Sequence, residues 1–258
     1  MSVIWFFKPI GWTPKDCVIE YQKIINQKIA FAGRLDPMAC GLMPIIIHNS
    51  NNTVEVQKIK ELLQGSYKTY RFKLILDFQS DTYDILGIAN KKENINIIEN
   101  LEKIKEIKIQ SYPPYSSQKA FSHQYQKKVP LWKLAKEGIL PNKLPKKEID
   151  IRSIKILETE IISNLEFLEI IKKRLDNLNN KTKYRHDKII DNWNKILEAE
   201  CNFTVYHLEA NVSTGTYIRF IGNELGGIVF DILRTSMHDK FLDNPDKYDK
   251  FTYNILTE

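Results

Sequence analysis

The run Gly33-Arg34-Leu35-Asp36-Pro37, with Gly41 and Pro44 just beyond it, limits how this chain can fold more than any other stretch. Glycine opens backbone conformations closed to other residues, and Pro37 locks φ immediately after the acid. A lone carboxylate, Asp36, therefore sits among residues that set backbone shape and cannot themselves do acid–base work. Taken alone, an Asp before Pro and near Gly reads as a turn opener. Four further blocks keep it company: Lys68-Thr69-Tyr70; Ser80-Asp81-Thr82-Tyr83-Asp84 with Gly87; Tyr112-Pro113-Pro114-Tyr115-Ser116-Ser117-Gln118-Lys119; and Ser213-Thr214-Gly215-Thr216-Tyr217-Ile218-Arg219. Each is weak alone, while their order and spacing are specific.

Local patterns place these blocks on elements. Residues 8–12 read as a strand ending in a turn. Thr13-Pro14-Lys15-Asp16 then carries helix-start chemistry: a capping hydroxyl, a proline at the first helical position and an acid that reaches back. Val18, Tyr21 and Ile25 follow at helical spacing and predict an end near Gln27. Residues 42–47 read as a buried strand, and residues 53–64 as a helix stopped by Gly65. Tyr70, Phe72, Leu74 and Leu76 alternate with other side chains, the period of a half-buried strand with Tyr70 facing inward. A helix is expected over 94–107, an extended loop over 112–119, a strand over 203–210 and an apolar helix around 220–225. Residues 163–198 read as an inserted helical pair, an accessory arm joined by a polar loop at 177–180 and carrying Lys172, Lys173, Arg174, Lys181, Lys183, Arg185 and Lys188.

Composition decides the class. At 258 residues, with 43% apolar and 27% charged side chains, the chain can bury one substantial core, and it is read as a single domain over 1–258. The net charge of +6 and a pI near 9.0 favour a polyanionic partner. Residues 118–147 interleave cations with rings (Lys119, Phe121, His123, Tyr125, Lys127, Lys128, Trp132, Lys133, Lys136), which suits RNA, where cations meet phosphates and rings stack on bases. Cys17, Cys40 and Cys201 have no paired spacing for a metal or a redox dithiol and read as reduced thiols. The opening residues lack the features of a secretory leader, and no apolar run approaches a membrane span. A soluble, unprocessed, cytoplasmic monomer is expected.

The ordered blocks resemble the TruB family of tRNA pseudouridine synthases. The likeness runs through Lys8-Pro9-x-Gly11-x-Thr13, Gly33-x-Leu35-Asp36-Pro37, Lys68-x-Tyr70, Asp81-Thr82-x-Asp84-x-x-Gly87, Gly215-Thr216-Tyr217-Ile218-Arg219 and Leu233-Arg234. The resemblance implies an α+β pseudouridine synthase fold, a mixed and largely antiparallel sheet flanked by helices, here with a helical insertion. It implies that Asp36 is the nucleophile, Tyr70 the aromatic that stacks on the target base and helps deprotonate it, and Arg219 the partner of Asp36. Lys8, Phe31, Arg34, Lys119, Tyr217, Leu233 and Arg234 would bind substrate. The implied partner is the T stem-loop of tRNA, with no cofactor and no metal.

The chemistry fits these residue types independently. Isomerising uridine breaks the N1–C1′ bond, turns the base and joins C5 to C1′. A carboxylate can act as nucleophile or stabilise the electron-poor sugar. A guanidinium in contact keeps such an acid charged inside a closed pocket.

Two departures from the family pattern widen the reading. Phe31 stands where a histidine is usual and Arg34 where a threonine is usual; the Arg34-Leu35-Asp36 run is similar to that of ribosomal RNA pseudouridine synthases. Many relatives also carry a small PUA-type RNA-binding domain after the Leu-Arg segment, which is not expected here. The same chemistry on another RNA, and a non-catalytic tRNA-binding or tRNA-folding role, therefore stand beside the leading reading.

Overall fold

The computed structural model describes residues 2–48, 53–65, 67–93, 96–179, 184–238, 240–242 and 244–256. Strand β1 (Ser2–Lys8) leads through a turn into helix α1 (Pro14–Gln22), then β2 (Lys28–Phe31) and β3 (Ala39–His48). Helix α2 (Thr53–Gln64) precedes β4 (Lys68–Ile75), and the short strands β5 (Phe78–Ser80) and β6 (Ala89–Lys91) bracket the 80–88 turn. Helix α3 (Ile97–Lys105) and β7 (Ile109–Ser111) come next, then the hairpin β8 (Lys119–Ser122) and β9 (Lys127–Pro130), helix α4 (Leu131–Lys136) and β10 (Lys146–Glu148). The long β11 (Ile151–Ser163) runs into α5 (Asn164–Asp176) and α6 (His186–Ile196), followed by β12 (Asn202–Val212), α7 (Ile218–Glu224) and β13 (Ile228–Met237). Strands β14 (Lys240–Phe241) and β15 (Asn254–Leu256) complete the described chain.

Among the described residues, the central sheet has the order β11-β12-β4-β13-β3-β1-β15, with β14 added to β13 and β2 to β3. The β13–β3 pairing is parallel and the other pairings in this sheet are antiparallel. The mixed, largely antiparallel α+β architecture is the one expected. Strand β13 is buried along its whole length, as a central strand covered on both faces must be.

Several boundaries differ from the sequence reading. The first strand is Ser2–Lys8, so residues 9–12 are its turn rather than its body. Helix α1 has the expected Thr13–Asp16 capping box but ends at Gln22, because Lys28 must pair with His48 and residues 23–27 have to turn before it. Helix α3 begins at Ile97, where the Asn96 side chain accepts the Ile98 N–H; residues 94 and 95 lie outside the described residues.

The largest correction concerns the helical pair. It is not an arm projecting from the domain. Phe167, Ile171 and Leu175 on α5 and Ile189 and Trp193 on α6 are fully buried in the main core. Their spacing of three to four residues puts them on one helical face, and the abundant lysines occupy the other. Trp193 meets Phe78 edge-on at 5.2 Å and donates its indole N–H to the Ile85 carbonyl at 3.0 Å. Asn192 accepts the Ala89 N–H at 2.7 Å and donates to the Ala89 carbonyl at 3.1 Å, continuing the β6 edge. Asn180 of the expected polar loop, and Lys181 and Lys183 after it, lie outside the described residues.

Candidate active site

The strand register draws one row of residues across the sheet: Ile154, Ala210, Tyr70, Arg234, Gly41 and Lys8, on β11, β12, β4, β13, β3 and β1. Gly41, at φ +111°, lies so close to β13 that a Cβ would come within 2.3 Å of the Arg234 carbonyl oxygen. Only glycine fits there. Arg234 is fully buried and donates through Nε to the Leu42 carbonyl at 2.6 Å, through Nη2 to the Gly33 carbonyl at 3.2 Å and through Nη1 to the Arg34 carbonyl at 3.3 Å. The Asp36 loop is fixed further by Ala32 N–H to the Pro44 carbonyl, Ala39 N–H to the Asp36 carbonyl and Gly11 N–H to the Pro37 carbonyl. The rigidity that the Gly–Pro run requires is thus supplied by neighbours on both sides.

Asp36 emerges from this loop with about a third of its side-chain surface exposed, 32%, whereas Arg219 is 3% exposed. Nε and Nη2 of Arg219 both reach Asp36 Oδ2 at 2.8 Å. The rest of the guanidinium is equally occupied: Nη1 donates to the Thr82 carbonyl at 2.8 Å, Nη2 to the Tyr115 carbonyl at 3.2 Å, and Nε lies 3.5 Å from Asp84 Oδ2. Burial opposes the charge on Arg219, but Asp36 and Asp84 outweigh it and hold its pKa above the ordinary value. Asp84 moves the other way for a carboxylate. Burial pushes its pKa up to about 6, with Arg219, the Thr82 hydroxyl at 2.6 Å and the Leu86 N–H at 2.9 Å pulling against it.

Arg219 lies in the first turn of α7, which opens at Tyr217. The buried Gln110 sets this entry: its side chain accepts the Tyr217 N–H at 3.0 Å and donates to the Gly215 carbonyl at 2.6 Å. The Tyr217 ring stands edge-on to Tyr112 at 5.7 Å, and burial first, then the Asp36 charge, raises its hydroxyl pKa. Tyr70 is 7% exposed and shares its apolar cluster with Leu35 and Met38, on either side of Asp36 in the chain. Tyr184, two residues ahead of α6, also feels this acid: burial, then Asp16 and Asp36, raises its pKa.

The remaining sequence candidates fall into distinct places. Lys8 is fully buried and donates to the Pro9 and Trp12 carbonyls, so it shapes the β1 turn rather than facing a ligand; burial holds its pKa to about 8. Leu233 packs with Phe7, Ile10, Cys40 and Leu42, a cluster separate from the one that contains Tyr70. Phe31 is half-buried at the end of β2. Arg34 is exposed and bridges to the Ser117 hydroxyl at 2.9 Å, joining the Asp36 loop to the 112–119 segment. Lys119, Phe121, Lys127, Lys128, Trp132 and Lys136 are exposed on the β8–β9 hairpin and α4. Tyr125 and Lys133 engage each other, with the ammonium 4.3 Å from the ring centroid. Among the described residues, no group of His, Cys, Asp and Glu is arranged to hold a metal, and no helix is long and apolar enough to cross a membrane.

A sequence model of the TruB family pseudouridylate synthase N-terminal domain matches residues 22–170, more than half of the chain. This chain belongs to the TruB family. It is similar to the tRNA pseudouridine synthase B of Clostridium acetobutylicum, 32% identical over 166 residues, which is 62% of this chain and 53% of the relative. Its likeness to the Thermotoga maritima protein of the same name is 31% over 155 residues, 59% and 47% of the two chains. With the Synechococcus elongatus protein the match is 25% identical over 229 residues, 86% and 60% of the two. The chain spans about half the length of the curated relatives it matches. Among solved structures, a Cbf5-Nop10-Gar1 complex superposes with a TM-score of 0.51 at 16% identity, over 91% of this chain and 48% of that one, which supports the fold.

The TruB-family match ends within α5, so it takes in Asp36, Tyr70 and Asp84, while Arg219 joins them through the fold. Four contributors carry no role in the sequence reading. Gln110 stands in an unremarkable Ile-Gln-Ser strand, and no local signal marks it. Thr82 and Tyr115 sit inside quoted motifs but meet Arg219 through backbone carbonyls, which side-chain chemistry does not reveal. Arg185 reads as one charge among several, yet its guanidinium grips Asp81 at 2.6 and 3.1 Å.

Proposed function

We propose that this TruB-family chain isomerises uridine to pseudouridine in the T-loop of tRNA, with Asp36 as the nucleophile acting on a base turned out of the RNA. The observation that carries this reading is the Arg219 fork on Asp36 Oδ2 at 2.8 Å, beneath a carboxylate that stays open to an incoming sugar. The relatives' shared name, tRNA pseudouridine synthase B, supports tRNA as the substrate.

In this reading Arg219 takes one oxygen of Asp36 and leaves Oδ1 to attack C1′ or to stabilise the electron-poor sugar. The N1–C1′ bond breaks, the base turns, C5 bonds to C1′, and the C5 proton is lost as N1 gains one. Tyr70 stacks on the uracil and assists the C5 deprotonation, and Tyr217 offers a second ring. Extracting the base costs a few kcal/mol, offset by these stacking contacts. Exposed Lys119, Lys127, Lys128 and Lys136 meet phosphates, an attraction that weakens with salt.

The test is to incubate the protein with a T stem-loop RNA and with ribosomal RNA, then to map pseudouridine by carbodiimide-dependent reverse-transcription stops. A stop at the T-loop uridine is expected. A stop confined to ribosomal RNA moves the reading to the other substrate, and tight binding with no pseudouridine in either RNA overturns the enzymatic reading.

A further inference from the structure

Arg219 reaches Asp36 from a socket with two backbone walls, the Thr82 carbonyl and the Tyr115 carbonyl. These walls come from separate loops, 80–87 and 112–118. What ties the two together is a residue of the helical pair. Arg185 donates from Nη1 and Nη2 to the two oxygens of Asp81, the neighbour of Thr82, and its guanidinium carbon lies 4.5 Å from the centroid of the Tyr115 ring. A bidentate fork combined with ring stacking is a geometry that arginine alone among the side chains can supply. The Arg185 backbone is itself left-handed, at φ +57° and ψ +32°, immediately before α6. A non-glycine residue in that region is uncommon, and the surrounding structure must over-determine it. The buried α5–α6 faces do so, because they fix where the pair begins and ends against the core.

We propose that Arg185 is a positioning residue for the pseudouridylation reaction: it staples the 80–87 loop to the 112–118 loop and thereby holds Arg219, and through it Asp36, in register. The helical pair is then a built-in brace of the active site. It makes no contact with the reacting atoms in this role, so its effect falls on the chemical step and not on RNA affinity.

This inference rests on the proposed function for its kinetic arm only. The 258-residue protein is compared with Arg185→Ala, Arg185→Lys and Asp81→Ala, alone and combined. With a T stem-loop RNA in single turnover, Arg185→Ala is expected to slow the chemical step about tenfold to a hundredfold, the scale of a small misplacement of reacting groups. The RNA Kd should stay within about twofold, and the double variant should lose clearly less than the two single losses combined, as expected for partners in one contact; Asp81 also accepts the Ile88 N–H at 2.9 Å, so its own loss is the larger. Arg185→Lys keeps the charge but loses the fork, so it should not restore the rate. Amide hydrogen exchange supplies the second arm, independent of catalysis: Arg185→Ala should speed exchange in both 80–87 and 112–118 while the β4 and β13 amides keep their protection. A wild type without pseudouridylation sinks the proposed function, yet the exchange arm still decides the brace. Unchanged exchange in both loops, a loss confined to RNA affinity, or full rescue by lysine each overturns the proposal.

Discussion

Asp84 offers the sharpest perturbation, because its cost can be worked from the geometry and read without any substrate. Its carboxylate is 4% exposed and faces Arg219 at 3.5 Å, and burial raises its pKa from the ordinary 3.8 to about 6. At about 1.4 kcal/mol per pH unit, that displacement is worth about 3 kcal/mol. The folded state binds this proton more tightly than the unfolded chain does. Stability from this group is therefore fully present below about pH 4 and is lost as pH rises through about 6. Asp84→Asn has no proton to release. Urea unfolding followed by circular dichroism from pH 4 to 7.5 should show the mutant gaining on the wild type by about 2.5 kcal/mol across that range. The altered contact with Arg219 adds a constant offset and leaves this slope in place. A difference curve that is flat, or that falls with pH, refutes the assignment of a buried, proton-binding Asp84 beside Arg219.

Other perturbations probe separate links of the account. Arg219→Lys replaces a planar fork by a point charge that cannot serve Asp36, Thr82 and Tyr115 together, so the single-turnover rate should drop by about a hundredfold with RNA affinity nearly unchanged; a drop under threefold contradicts the socket. Trp193→Ala should cost about 3 to 5 kcal/mol in a urea titration, since its ring is fully buried against Phe78 and Phe167, and a cost below about 1 kcal/mol would return the helical pair to the status of an arm. Burial, then Arg234 and Lys147, lowers the Lys68 pKa to about 7 from 10.5, so the unfolded chain binds the extra proton between those values. Wild-type stability should therefore rise relative to Lys68→Met between pH 7 and 10, and a parallel pair of curves would show that Lys68 is not held this way.

How far the sequence carried the fold depended on how local each signal was. The alternation from Tyr70 through Leu74 falls on β4 because a half-buried strand writes its burial into consecutive residues. The Thr13–Asp16 box became a cap for the same reason. Strand β11 escaped notice because its faces carry Lys155, Glu158 and Glu160 among the isoleucines, and β13 because a strand buried throughout has no alternation to read. The place of the helical pair is legible in the sequence and its burial is not: its lysines dominate the composition, while the apolar stripe of Phe167, Ile171 and Leu175 shows only when the turn of the helix is followed.

The site divided along the same line. Asp36 and Arg219 stand 183 residues apart, and it was the family likeness, not any local pattern, that paired them. Arg185 and Asp81, 104 residues apart, have no such likeness to announce them, and only the packed structure joins them. The family likeness makes Lys8 and Arg234 substrate-binding residues, whereas the fold turns both onto backbone carbonyls. A sequence reports that a cation is present; where it points depends on the register of strands that meet across the whole chain.

The central claim is that the carboxylate of Asp36, steadied by Arg219, does the chemistry. The direct measurement is pseudouridine formed in a T stem-loop RNA by the wild type and by Asp36→Asn, at protein concentrations above the RNA Kd and with equal binding verified for both. The account predicts stoichiometric conversion by the wild type and none by the asparagine variant. Conversion by Asp36→Asn at a rate near that of the wild type would contradict it.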